Sequence, residues 1–291
     1  LQKKITCTIY CANDIKQEYT LAFVFVGDIL PSIMGAIISA IAFPYPPKHY
    51  SEDALRSRQD LKFLKTKTGI QIPCVHITKC GAKFTIIYSH GNAEDVGLSL
   101  NYLDVISDTL DASVIAYEYP GYSISGGRPS EKNCYEAIDA AYKYATETAR
   151  IDPSQLILYG RSLGTGPTVD LCSRSPNVSG CILQSPLESG IRCFIGVCSS
   201  YTLYPLDIFR NYSKIELIQC PVFIMHGMDD GVVPCNNGRA LYAQLQERPI
   251  HSSVQYPPLW IPNRGHNDIP EEIVLNSSRK FLKFLETRES S

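Results

Sequence analysis

The chain has 291 residues, which suits one large α/β domain or two smaller ones, and its formal net charge of −2 argues against a nucleic-acid partner. Hydrophobic residues make up 44% of the chain and charged residues 19%, as in ordinary soluble globular proteins. Its 11 cysteines form neither a C-x-x-C motif nor a Cys/His cluster at zinc spacing. We therefore expect reduced, mostly buried thiols in a cytosolic protein.

The first element is an apolar stretch over residues 21–43, LAFVFVGDILPSIMGAIISAIAF. It is about as long as a bilayer-spanning helix. Asp28 would cost roughly 2.5–3.5 kcal/mol near the centre of a span, and Pro31 would kink or break the helix. The stretch therefore favours a membrane-surface anchor, with a true span or a buried core helix as the alternatives. The predicted domains are a membrane-associating segment over 1–50 and a folded domain over 51–291.

Strand-like and helix-like segments alternate through the rest of the chain, after a charged lead-in over residues 51–67. Helices are predicted at 130–148, with Ser130 as the N-cap, and at 270–286. This alternation indicates an α/β fold, with a mostly parallel, doubly wound sheet and helices on both faces. The predicted strands are 83–91, 112–123, 155–160, 180–186, 220–227 and the proline-containing 253–262.

One serine stands between two glycines where the apolar run LILY ends, in Gly160-Arg161-Ser162-Leu163-Gly164. G-x-S-x-G between a strand and a helix is the nucleophile-elbow pattern. The turn is strained, so small residues must flank the serine, and it lifts the hydroxyl clear of the sheet. The backbone N–H of Leu163 can then donate to an oxyanion that develops there. Ser162 is the candidate nucleophile; the alternative is a glycine-rich turn with an incidental serine.

A serine hydroxyl needs a base, and in this fold pattern the acid and then the histidine follow the serine along the chain. Three histidines come after Ser162: His226, His251 and His266. His226 closes an apolar strand and is interpreted as structural, whereas His251 lies in a polar turn before the last strand. His266 lies in the loop NRGHNDIP after that strand and is the candidate base.

The acid is expected in the loop after the preceding strand, which reads MHGMDDGVVP. Asp229 and Asp230 compete for this role. Asp230 lies four residues after His226 and four before Pro234, the spacing of an H-G-x-x-D-x-x-V-P pattern, and it is preferred. Asp229 is then a solvated loop charge. The acid would fix the imidazole tautomer and stabilise the imidazolium.

A second oxyanion donor is expected after an earlier strand, in His90-Gly91-Asn92. The backbone N–H of Asn92 is the candidate, together with that of Leu163. The alternative is that His90 and Gly91 only shape the turn, and in either case His90 has no proton-transfer role. No cofactor and no metal is predicted, because the chain has neither a dinucleotide or Walker glycine motif nor a metal-ligand cluster.

Seven segments in one order carry a family resemblance: SHGNAEDVG, YEYPGYSISGGRPSE, YGRSLGTGPTVDL, QSPLESGIR, HGMDDGVVP, PPLW and RGHNDI. From about residue 31 to the C-terminal helix, the chain resembles the α/β-hydrolase-domain-containing protein 17 family of membrane-associated serine hydrolases, which remove palmitate from cysteines of other proteins. The resemblance implies an α/β-hydrolase catalytic domain, with Ser162 as nucleophile, Asp230 as acid and His266 as base. The chain departs from the family at Arg161, where glutamine is more common.

The resemblance also implies partners and a location. The expected partners are S-acylated proteins and a membrane surface, at the cytosolic face of the plasma or endosomal membranes, and the chain is expected to be a monomer. The family's palmitoylated cysteine-rich start is represented here only by Cys7 and Cys11, so the apolar stretch 21–43 is the alternative anchor. A lipid or small-ester hydrolase and a non-catalytic, membrane-tethered interaction module are the rival hypotheses.

A small lid region is expected between the strands at 180–186 and 220–227, which are about 35 residues apart. This stretch is rich in apolar and aromatic residues. It forms either one helix packed on the sheet or an apolar wall for an acyl chain. Because each buried methylene contributes about 0.8 kcal/mol, apolar surface alone could select a long acyl group.

Overall fold

The structure is a computed structural model, and it describes residues 4–10, 16–22, 43, 50–193, 207–248 and 255–289. Most of the apolar stretch predicted to be a membrane anchor lies outside these residues. Strands β1 (Lys4–Tyr10) and β2 (Lys16–Ala22) pair antiparallel in a small separate sheet. No strand was expected there. Within the described ranges, none of the helices combines the length and apolar character that a bilayer span requires.

The main sheet has eight strands: β3 Leu61–Lys65, β4 Gln71–Ile77, β5 Thr85–Ser89, β6 Ser113–Tyr117, β7 Leu156–Arg161, β8 Gly180–Gln184, β9 Val222–Gly227 and β10 Leu259–Ile261. Their order in the sheet is β10-β9-β8-β7-β5-β6-β4-β3. Strands β5 to β10 run parallel, while β4 pairs antiparallel with both β6 and β3 at one edge. The predicted α/β class, with a mostly parallel sheet, is confirmed.

Helices cover both faces of this sheet, because alternate residues of each buried strand point to opposite sides. The helices are α1 Glu52–Arg56, α2 Val96–Leu110, α3 Glu131–Lys143, α4 Thr165–Arg174, α5 Asn236–Gln246 and α6 Glu271–Glu289. On β5, Ile87 joins the apolar core beneath helices α3, α4 and α5, whereas Ile86 and Tyr88 join the core beneath α2 and α6.

Several predicted boundaries differ from the observed ones for local reasons. The charged lead-in at 51–67 contains α1 and β3, which were missed because only Leu64 of β3 is buried and no alternation shows. The last strand is three residues long, because Pro257 and Pro258 cannot donate ladder hydrogen bonds. Ser130 does cap α3, its hydroxyl accepting from the Asn133 N–H at 3.2 Å, and the helix continues as a π-helical turn to residue 148.

Part of the predicted lid region is described, over residues 185–193 and 207–221. Phe209 is buried, and its ring fills the space beside Gly166, where a Cβ atom would overlap it. The segment then continues as two short 3-10 helices, Asn211–Ser213 and Ile215–Leu217. The apolar residues between these parts, 194–206, lie outside the described residues, so the choice between helix and acyl-chain wall stays a prediction.

Candidate active site

The turn after β7 holds Ser162 in a left-handed backbone conformation, with φ at +52°. A non-glycine residue in this region is strained, and such strain is typical of functional turns. The flanking glycines are needed for space: a Cβ on Gly160 would lie 2.6 Å from the Gly164 carbonyl oxygen, and one on Gly164 would overlap the Ser89 carbonyl. The G-x-S-x-G segment therefore forms a tight elbow that leads into α4.

The loop after β10 brings His266 onto this serine, 104 residues away in the chain. His266 Nε2 lies 2.8 Å from Ser162 Oγ, and Nδ1 lies 2.7 Å from Asp230 Oδ2. Because a carboxylate only accepts, Nδ1 carries the proton, which leaves Nε2 free to accept from the Ser162 hydroxyl. The three predicted residues thus form one continuous hydrogen-bonded chain.

Asp230 is held by hydrogen bonds on both carboxylate oxygens. Its Oδ1 accepts from the backbone N–H groups of Val232 at 2.9 Å and Val233 at 2.8 Å, while Oδ2 accepts from His266 and from His226. Burial by itself would raise the pKa of Asp230, but the hydrogen bonds from the two imidazoles, the electrostatic effect of His266 and the Val233 N–H together lower the pKa below its usual range. Asp230 is therefore ionised at neutral pH.

Asp229 and His226 lie next to the hydrogen-bonded chain that joins Ser162, His266 and Asp230, and are not links in it. The Asp229 side chain is exposed, and its backbone N–H is bound to the Arg264 carbonyl at 2.9 Å. His226 is completely buried, and its Nε2 donates to the Val233 carbonyl at 2.8 Å and lies 3.2 Å from Asp230 Oδ2. Its contact with the carboxylate was not foreseen, although the four-residue spacing to Asp230 is a usable signal. His251 lies outside the described residues.

Buried hydrogen bonds hold the loop that is predicted to supply the second oxyanion donor. His90 is buried, its Nε2 lies 2.9 Å from Glu118 Oε1, and its Nδ1 lies 2.9 Å from the Gly91 carbonyl. The second oxygen of Glu118 accepts from the Val96 N–H at the start of α2, at 2.9 Å. Sequence analysis did not select Glu118, although a carboxylate at the end of an apolar strand is a signal that could have found it. The His90–Glu118 contact fixes the turn that leads to Asn92.

Three further polar side chains stand around the elbow and were not grouped by sequence reasoning. The Arg161 guanidinium forms an ion pair with Glu94 and donates to Asn267 Oδ1 at 3.0 Å. A cavity of about 260 Å³ opens beside them. It is lined by Tyr88, Glu94, Leu98, Ser99, Tyr102, Arg161, Gln184, His266, Asn267, Ile269, Glu271 and Val274.

Neither a metal cluster nor a disulfide is found where the structure describes the chain. No group of three or more His, Cys, Asp or Glu side chains in those residues could hold a metal ion. Eight cysteines between residues 74 and 235 are free thiols, and all of these except Cys80 are buried. The sulfurs of Cys172 and Cys220 lie within hydrogen-bond distance, 3.4 Å apart, and hydrogen bonding between neighbouring thiols, together with burial, raises the pKa of each.

Comparison with solved structures identifies the fold. An esterase from Pyrococcus furiosus superposes with a TM-score of 0.62 at 17% sequence identity, covering 83% of this chain and 97% of the esterase. An esterase from a Rhodococcus species superposes with a TM-score of 0.59 at 16% identity, covering 78% of this chain and 100% of the esterase. Both the similarity and the strand order define an α/β-hydrolase fold.

Sequence relatives define the family. A putative alpha/beta hydrolase of Acanthamoeba polyphaga mimivirus is 35% identical over 248 residues, covering 84% of this chain and 90% of that protein. Alpha/beta hydrolase domain-containing protein 17B of Homo sapiens is 37% identical over 207 residues, covering 70% of this chain and 68% of the human protein. The Xenopus laevis 17B protein is 38% identical with the same coverage. No protein-family model matches the chain. The chain belongs to the alpha/beta hydrolase domain-containing protein 17 family.

Proposed function

We propose that the chain is a serine hydrolase that cleaves acyl thioesters, in particular the palmitoyl groups on cysteines of membrane-associated proteins. The observation that carries this proposal is the hydrogen-bonded chain from Ser162 through His266 to the ionised Asp230, with the serine on a strained elbow. A nucleophile, a base and an orienting acid in this relation are the parts that two-step acyl transfer needs.

In the first step, Ser162 Oγ attacks the thioester carbonyl carbon while His266 Nε2 takes the hydroxyl proton. The carbonyl oxygen becomes an oxyanion, and we assign its stabilisation to the backbone N–H groups of Leu163 and Asn92. The tetrahedral intermediate then collapses, the carbon–sulfur bond breaks, and the imidazolium gives its proton to the departing sulfur. Asp230 stabilises the imidazolium in between and keeps the ring oriented.

In the second step, water attacks the acyl-enzyme ester, again with His266 as base. Collapse of this intermediate returns the proton to Ser162 and releases the fatty acid. A thiol has a pKa of about 8.5, so it departs with less help from an acid than an alcohol does, and the same residues suit a thioester well.

We also propose that the protein works at a membrane surface, at the cytosolic face of the plasma or endosomal membranes. Three things support this: the family, the apolar stretch 21–43, and the buried free thiols, which suit a reducing compartment. S-acylated proteins would then be both substrate and partner, with their acyl chains supplied from the same bilayer.

The direct test compares three substrates: an S-palmitoyl cysteine peptide, the matching O-palmitoyl serine peptide and a monoacylglycerol. We expect fastest turnover of the thioester, loss of turnover in Ser162→Ala, and normal turnover in Ser173→Ala, which changes a serine on α4 whose hydroxyl donates to the Asp170 carbonyl. Preference for the monoacylglycerol would assign a lipid hydrolase instead. Failure to turn over any substrate, with the protein folded, would favour an interaction module.

A further inference from the structure

Arg161 stands directly before Ser162 and reaches the loops on both sides of the elbow. One nitrogen of its guanidinium forms an ion pair with Glu94, in the loop after β5. The other donates to the side-chain oxygen of Asn267, the neighbour of His266, at 3.0 Å. One rigid, planar group therefore connects the loop of the second oxyanion donor to the loop of the base.

Glu94 binds both Arg161 and the turn that contains Asn92. One carboxylate oxygen pairs with Arg161, and the other accepts from the Gly91 N–H at 3.1 Å. The turn also holds Ala93 in the left-handed region, with φ at +56°. Because a non-glycine residue persists there only when its surroundings hold it, the bonds made by Glu94 help to maintain the turn that contains Asn92.

The base loop is closed in a similar way. The Gly265 N–H donates to Asp268 Oδ1 at 2.5 Å, so residues 265–268 form a compact turn with His266 and Asn267 inside it. A bond to Asn267 therefore acts on the placement of the adjacent His266. The side chains of Arg161 and Glu94 are 20% and 26% exposed, so water screens their pairing less than that of a fully exposed pair.

We propose that Arg161 is a positioning residue for the reaction: it fixes the spacing between the Asn92 loop and the His266 loop around Ser162. The proposal rests on the serine-hydrolase function above, but not on the identity of the acyl substrate. Rate depends steeply on such spacing, since a displacement of about 1 Å can cost about 10²-fold. The rival explanation is an ion pair that only adds stability.

The test uses Arg161→Met, Arg161→Lys, Glu94→Gln and the Arg161→Met/Glu94→Gln double variant. The control is Arg58→Met, since Arg58 and Asp60 form an ion pair of similar exposure, 28% and 27%, directly before the edge strand β3. Each protein is assayed for hydrolysis of p-nitrophenyl butyrate, for the rate of labelling by a fluorophosphonate, and for its melting temperature.

We expect Arg161→Met to lower kcat and the labelling rate about 10- to 100-fold with KM changed less than about twofold. Glu94→Gln should have a similar effect, and the double variant should be no worse than either single one, because the two groups act as a unit. Arg161→Lys should recover part of kcat, since it keeps the charge but cannot bond both partners as a fork does. Arg58→Met should keep the wild-type kcat.

The proposal is overturned if Arg161→Met keeps kcat within about threefold of wild type, if the double variant shows the product of the two single losses, or if kcat falls only in step with the folded fraction. Such results would leave the serine-hydrolase function intact, because the wild-type protein would still react with both reagents. A folded wild-type protein that neither hydrolyses the ester nor reacts with the fluorophosphonate would overturn both.

Discussion

Replacing Asp230 by asparagine separates orientation of the base from all other features of the site. Asparagine has nearly the same shape, and its amide oxygen can accept the N–H groups of Val232 and Val233 as Asp230 Oδ1 does. Its NH₂ group would then face two imidazole N–H donors, those of His266 and His226. Two donors cannot bond each other, so His266 must move its proton to Nε2 to keep a bond with the amide.

The size of the effect follows from that tautomer change. With a proton on Nε2, the imidazole can no longer accept from the Ser162 hydroxyl, and the nucleophile loses its base. Loss of the correct tautomer in a Ser-His-Asp site lowers kcat by about 10⁴, which corresponds to about 5 kcal/mol of transition-state stabilisation. His226 keeps its acceptor in this variant, because its Nε2 donates to the Val233 carbonyl at 2.8 Å.

The assay is steady-state hydrolysis of an activated ester at pH 7.5, with circular dichroism to verify folding. Asp229→Asn is the matched control, since it removes the same charge one residue away, from an exposed side chain. We expect a loss of about 10⁴ in kcat for Asp230→Asn and nearly wild-type turnover for Asp229→Asn. More than a tenth of wild-type kcat in folded Asp230→Asn, or equal losses in both variants, would refute this reasoning.

Three stability predictions follow from the same structure. Phe209→Ala, which removes a fully buried ring beside Gly166, should lower the free energy of unfolding by about 3–5 kcal/mol, measured in urea. Gly164→Ala should lower the melting temperature and the yield of folded protein, since the new methyl group would overlap the Ser89 carbonyl. Folding lowers the pKa of Asp230, so the ionised carboxylate stabilises the folded protein above about pH 4. This stabilisation is lost as the pH falls through the folded-state pKa. The unfolding free energies of wild type and Asp230→Asn should therefore converge in acid.

Each of these has a control or a contrary result. Phe63→Ala removes a ring that is 41% exposed and should cost well under half as much as Phe209→Ala; equal costs would contradict the assigned packing. Gly231 has no atom within 4 Å of an added Cβ, so Gly231→Ala should be tolerated, and an effect as large as that of Gly164→Ala would count against the steric argument. A stability difference at Asp230 that grows in acid would contradict the assigned direction of its pKa shift.

Much of the site could be predicted from sequence because each residue follows a recognisable strand. Ser162, Asp230 and His266 come after β7, β9 and β10 in the chain order of this fold, and parallel strands bring their carboxyl ends to one edge of the sheet. Periodicity and chain order therefore sufficed to select the residues that the structure brings into hydrogen-bond distance. The same logic gave the α/β class and the parallel part of the sheet.

The parts of the site and of the fold that were not predicted depend on features that no periodic sequence pattern encodes. The bond from Arg161 to Asn267 joins loops 106 residues apart and depends on the conformations of both. Strand β3 is largely exposed, so its residues do not alternate as those of a half-buried strand do. His226 looked like a core residue because it is one; only the folded loop shows that its ring also reaches the Asp230 carboxylate.

The central claim is that Ser162 is an activated nucleophile, and mapping a covalent fluorophosphonate adduct by mass spectrometry tests it most directly. The account predicts about one adduct per molecule on the peptide that contains Ser162, no adduct in Ser162→Ala, and a strongly slowed reaction in His266→Ala. A folded wild-type protein that forms no adduct, or that carries it on another serine while Ser162 stays unmodified, would contradict the account.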